Sequence, residues 1–224
     1  QLVSISAALL YLVAAILQVL SCRRSIAETG SVARKPVLNN ALGTAALALA
    51  LHATGLYAIM VSDAGINIGF YSALSLVSAV IVALTLGAAL RHPIQIVLII
   101  LLPVSALTVI LNSFIDTERM IAPGSDGMLV FHILSSIIAY SLLALAALQA
   151  ILLSVQNNLL HHHQTGGLLR LMPPLKNMER LLFEVILTGF IVLTISLSSG
   201  LIFLENMFAQ HVAHKTILSI FAWF

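Results

Sequence analysis

Eight histidines are the side chains of this 224-residue chain with the most chemistry to offer, and four of them gather toward one side of its apolar stretches. His52 lies in Leu51-His52-Ala53-Thr54-Gly55, nine residues before an apolar run ends, which is about 14 Å deep at the rise of an α-helix. His132 lies four residues into a later run, about 6 Å deep. His211 and His214 precede the last apolar segment. A lone imidazole buried among helices satisfies itself with a serine or a main-chain carbonyl and is structural. Imidazoles brought to one side of a membrane by three separate stretches point instead to a bound ligand.

Zinc is a poor fit, because it wants four N, S or O ligands close together. The chain has no H-E-x-x-H and no His pair at i,i+4 on one helix; His211-Val212-Ala213-His214 gives i,i+3 spacing without an acidic residue inside it. Haem fits better, since it needs one or two axial imidazoles and a broad apolar slot. Small residues before His52 (Gly43, Ala45, Ala46, Ala48, Ala50) and after His132 (Ala139, Ala144, Ala146, Ala147) could open such a slot or simply let helices pack closely. The run His161-His162-His163 reads as a solvated tract and His92 as an interfacial residue. No nucleophile elbow, phosphate-binding glycine loop or intramembrane acid pair is present, and the single cysteine, Cys22, excludes a disulfide framework and a multi-cysteine metal site.

The elements that must position these histidines are membrane helices. Hydrophobic residues make up 60% of the chain and charged residues 8%, against roughly a quarter charged in soluble domains; the mean hydropathy is +1.09. Aromatic content of 6% leaves no stacking platform for nucleic acid. About 20 apolar residues cross the hydrocarbon as a helix, because every backbone polar group must be bonded within the segment. That window predicts six full spans: Leu2 to Leu20, Leu38 to Val61, Phe70 to Leu90, Ile94 to Asn112, Met128 to Val155 and Leu181 to Leu204. A seventh starts near Thr216 and is cut short at Phe224. Basic residues are retained on the cytoplasmic side. Arg23, Arg24, Arg34, Lys35, Arg91, Arg170, Lys176 and Arg180 fall on one side, and only Arg119 and Lys215 on the other. The N-terminus is therefore expected outside, with His52, His132, His211 and His214 toward the outer leaflet. Pro103, midway along span four, is expected to kink it. No repeat or linker divides the chain, so residues 1–224 read as one transmembrane domain.

From His132 onward the sequence resembles the cytochrome c assembly protein family of haem-handling membrane proteins, and within it the YpjD-like and HemX-like branch. The resemblance is carried by Val130-Phe131-His132-Ile133-Leu134-Ser135, Ala139-Tyr140-Ser141, Pro173-Pro174-Leu175 with Glu179-Arg180, Gly189-Phe190, Leu193-Thr194, Ser199-Gly200-Leu201, His214-Lys215-Thr216 and Ala222-Trp223. It implies that His132, which opens a span ahead of the Ala-Tyr-Ser step, is a haem ligand at the outer face. It further implies that His214 of the His-Lys-Thr step is another, and that His52 matches the branch's membrane-embedded histidine. Branches that present haem carry a tryptophan-rich outer segment, whereas residues 205–211 here read Glu-Asn-Met-Phe-Ala-Gln-His.

The expectation is an all-α polytopic bundle of the bacterial inner membrane that binds or handles haem without catalysis. His132 would be the leading axial ligand, with His214 or His52 opposite; His132 and His214 are the candidate metal ligands. The rival expectation is an accessory subunit whose histidines are structural and whose Gly43 to Ala50 face packs on a membrane partner.

Overall fold

The computed structural model describes residues 1–29, 40–63, 65–92, 94–115, 117, 119–121, 127–162, 169, 172–203 and 213–223. Among them run seven helices: α1 (Leu2–Thr29), α2 (Asn40–Met60), α3 (Phe70–Ala89), α4 (Gln95–Phe114), α5 (Gly127–His161), α6 (Leu175–Phe203) and α7 (Ala213–Trp223). The first six are each long and apolar enough to cross a membrane. The chain is a multi-pass helical membrane protein.

Three helices are longer than the apolar windows. α1 continues through Arg23 and Arg24, α5 reaches His161, and α6 begins directly after Pro173-Pro174. A hydropathy window registers only the lipid-compatible part of a helix. The polar turns beyond it still bond internally, and proline is tolerated where a helix starts. Pro103 sits inside α4, which is continuous from Gln95 to Phe114.

Helices α1 to α4 close a ring, each packed on two others: α1 on α2 and α4, α3 on α2 and α4. α1 shows why. Its buried residues Ser4, Ala7, Ala8, Tyr11, Ala14, Ala15, Gln18 and Cys22 recur every three or four positions and form one stripe, while Leu9, Leu12, Val13 and Ile16 face outward. Without water, small residues let backbones approach and polar side chains bond between helices. α3 lays its hydroxyls inward: Ser72 Oγ donates to Asn112 Oδ1 of α4 at 3.0 Å, and the hydroxyls of Ser78 and Thr108 meet at 2.7 Å.

α5 and α6 form the most extensive pair, joined to the ring through α3, and α7 packs on α6. Gly189 permits the close approach: a Cβ there would come within 3.1 Å of Leu143 Cδ2 and 3.3 Å of Leu142 Cβ.

At the end opposite the α3–α4 turn, the α2–α3 and α4–α5 connections share a small antiparallel sheet, β1 (Val61–Ser62), β2 (Gly65–Asn67) and β3 (Met120–Ile121), in that order. Hydropathy gave no sign of it. The side-chain oxygen of Asn67 accepts from the Gly69 N–H at 2.9 Å and the Arg119 N–H at 3.1 Å, and Ile68 N–H donates to the Arg119 carbonyl at 2.9 Å. A Cβ at Gly69 would overlap the Thr117 carbonyl, so only glycine lets the two loops close.

Gly189→Leu is expected to cost about 1–3 kcal/mol through overpacking. Gly43→Leu, with nothing within 4 Å of its Cβ, should stay within about 0.5 kcal/mol. Reversible denaturation in mixed micelles, followed by circular dichroism, measures both.

Candidate functional site

His132 sits in the second turn of α5, half-buried against α6. Its neighbours follow from helical spacing: Ser135 and Ser136 lie three and four residues on, and Ser196 and Ser199 lie three apart on the facing stripe of α6. Nδ1 of His132 is 3.0 Å from the Ser196 main-chain oxygen and 3.2 Å from Ser199 Oγ. A carbonyl can only accept, so the proton is on Nδ1. Ser199 Oγ–H in turn donates to the Ser196 carbonyl at 2.8 Å. Ser135 and Ser136 donate to the His132 carbonyl at 3.0 and 2.7 Å, and Ser136 Oγ meets Ser196 Oγ at 2.6 Å. Among the described residues Nε2 has no hydrogen-bond partner. A neutral ring with its proton on Nδ1 keeps a lone pair on Nε2.

His52 is different. It is 2% exposed, on the inner face of α2. The Tyr11 hydroxyl of α1 lies 3.1 Å from its Nδ1 and the Ser75 hydroxyl of α3 lies 2.8 Å from its Nε2, with the Tyr11 and His52 rings edge-on at 5.7 Å. Whichever nitrogen carries the proton, both are used. The imidazole ties three helices of the ring together.

The structure does not bring His52 and His132 to one place. The first faces α1 and α3, the second faces α6, and α2 and α5 share no substantial packed face. His214 is the second residue of α7, a helical position. α7 is fastened beside His132's helices: Tyr140 of α5 bonds Ser219, Trp223 Nε1–H donates to Thr194 Oγ1 of α6 at 2.8 Å, and Trp223 stacks on Phe190 with centroids 5.7 Å apart. Counting helical rise from the Tyr140–Ser219 tie puts the His214 backbone about 5 Å deeper than that of His132, and from the Trp223–Thr194 tie about 8 Å shallower. The two positions thus share a level to within about a turn or two.

Of the other histidines, His92 occupies the turn between α3 and α4, His161 ends α5 and His162 is exposed beyond it; His163 and His211 lie outside the described residues. Among the described residues no three His, Cys, Asp or Glu side chains converge as a metal ion would require. At the opposite end, where α4 and α6 begin, Ile94, Val97, Gln149, Pro173, Met178 and Leu181 line a shallow crevice with no room for a water-sized molecule, so it is no small-molecule pocket.

Tyr11, Ser75, Ser136, Ser196 and Ser199 are the partners that sequence reasoning passed over. Their signal was present: serines three apart within an apolar span, Ser72-x-x-Ser75-x-x-Ser78 and Ser196-x-x-Ser199, mark a polar stripe that must face another helix.

Compared with known proteins, residues 41–224 match the family described as Cytochrome C assembly protein. Three relatives named Inner membrane protein YpjD, from Escherichia coli K12, O6:H1 and O157:H7, are each 32% identical over 192 residues, covering 82% of this chain and 70% of the relative. No solved structure matches the chain. The family match includes His52, His132 and His214 and leaves α1 outside it.

Tyr11→Phe removes one hydrogen bond from the buried triad and should cost about 0.6 kcal/mol and no more than about 1.7 kcal/mol, the average and the maximum found for hydrogen bonds between membrane helices. His52→Ala removes both bonds and leaves a cavity, so it should cost more. Denaturation in micelles gives the order; a His52→Ala protein as stable as wild type would contradict the triad's role.

Proposed function

Because the chain belongs to the cytochrome c assembly protein family, we propose that it is a haem-handling protein of the bacterial inner membrane, holding haem toward its outer side without catalytic turnover. One observation carries this reading. The His132 imidazole gives its Nδ1 proton to α6 and retains an unengaged Nε2. Metal-ligating histidines are held in this way, with the second ring nitrogen donating to a carbonyl, a carboxylate or water, which fixes the tautomer and strengthens the ligand.

The donor set fits haem better than a bare ion. An ion needs three or four convergent ligands, which the described residues do not offer, whereas an iron porphyrin needs one or two imidazoles and apolar surroundings. In this reading His132 is the axial ligand and Ser196 and Ser199 orient it. Phe131 and Leu134, exposed on α5 beside it, contribute apolar surface. His214, on a helix fastened to α5 and α6, is the candidate for the opposite side. His52 is the weaker candidate, since ligation would require it to release Tyr11 or Ser75 inside the ring. Bound haem would supply a redox-active iron; the chain's own work is to bind, orient and shield.

Haem titrated into the purified protein is expected to give a Soret band saturating at one equivalent. His132→Ala, which removes the ligand itself, should weaken binding by more than the roughly 10- to 100-fold that loss of an outer-shell partner costs, and His52→Gln should keep the band. Wild type and His132→Ala indistinguishable, with no band in either, would overturn the proposal. A stoichiometric membrane partner co-purifying without chromophore would favour an accessory subunit instead.

A further inference from the structure

We infer that α7 is a releasable wall beside His132, held on α5 and α6 by the Tyr140 hydroxyl and the Trp223 indole, and that haem enters and leaves past it; this rests on the haem-handling reading above and concerns the regulation of that site. The inference starts from what holds α7 in place. Among its described side chains only Ser219 is buried, while Ile217, Leu218 and Phe221 face outward. In hydrocarbon an apolar side chain has no hydrophobic reason to prefer a protein neighbour to a lipid tail. The docking is therefore carried by polar and aromatic ties. Tyr140 of α5 bonds Ser219, and Trp223 stacks on Phe190 of α6 with the rings 17° from parallel. Trp223 Nε1–H donates to Thr194 Oγ1, whose own proton goes to the Phe190 carbonyl at 2.8 Å, so the threonine meets the indole with a lone pair.

These ties are cheap to break. A freed Ser219 hydroxyl has a carbonyl of its own helix within reach one turn back, the bond that Ser113, Ser141 and Thr188 make elsewhere. Thr194 keeps its bond to Phe190. Release gives up one bond at Tyr140 and one at Trp223, and an average hydrogen bond between membrane helices changes a population ratio by only about threefold. Docked, α7 lies on the same helix pair as His132, within a turn or two of its level, and carries the His214 position in its first turn. Phe131 and Leu134 beside His132 are exposed, so a flat apolar porphyrin reaches the site through the bilayer. A wall of this kind leaves a kinetic mark. The released fraction sets entry into the empty site and exit from the filled one, so loosening α7 speeds both and leaves Kd unchanged.

The test uses the full chain in lipid nanodiscs. Without haem, the fluorescence component lost in Trp223→Phe is followed while tail-brominated phosphatidylcholine is added; Tyr140→Phe should increase its quenching. With haem, stopped-flow mixing gives the rates. Tyr140→Phe and Thr194→Val should each raise association and dissociation by about threefold, and together by about tenfold, with Kd constant to within about twofold. Rates equal to wild type in the double variant would overturn the inference, whether or not the quenching changes. So would a weaker Kd with an unchanged association rate, which marks α7 as support for bound haem only. Increased quenching with no haem binding in any variant would overturn the haem reading and its entry route, and leave only the release of α7.

Discussion

Hydrocarbon offers a polar side chain nothing to bond with, and this constraint accounts for most of the internal organisation of the protein. Each half of the molecule meets it with a histidine flanked by hydroxyls. In the α1–α4 ring, His52 is consumed at both nitrogens by Tyr11 and Ser75. In the α5–α6 pair, His132 is consumed at one, by Ser196 and Ser199. The same chemistry thus gives a clamp in one place and a prepared donor in the other. The difference is a count of partners, which neither depth in the membrane nor residue type predicts.

The six spans, their order and the family were legible in the sequence, because hydropathy and the order of short motifs record what the bilayer demands of each segment. Helix ends were not, since the polar turns of α1, α5 and α6 that run past the hydrocarbon look like loops to an apolar window. His132 stood out as a candidate through its place ahead of Ala139-Tyr140-Ser141. The commitment of His52 was not, because Tyr11 and Ser75 lie 41 and 23 residues away and only the packing of α1 and α3 on α2 brings them to it. The outer sheet was equally hidden: strands of two or three residues carry no periodicity, and Gly69 and Asn67 become meaningful only once two distant loops meet.

The serine-rich seam between α5 and α6 does two jobs with one set of groups. Ser136 and Ser196 hold the helices together, and Ser196 and Ser199 orient the imidazole. Gly189, seven residues before Ser196 on the same stripe, sets how near the helices come. Packing two turns below the ring therefore bears on the ring itself. Nε2 of His132 is only as well placed as the fit of Leu142 and Leu143 against a residue with no side chain.

The length of α5 has a mechanical consequence. Its 35 residues extend about 52 Å, some 20 Å more than the hydrocarbon is thick. With His132 near one end and His161 at the other, the helix is a stiff rod packed on α3 and, along its flank, on α6. A displacement of its protruding end is carried along the rod to the other, and α6, bonded along its flank, would travel with it. The two ends of the helix thus move as one body without any segment having to unfold.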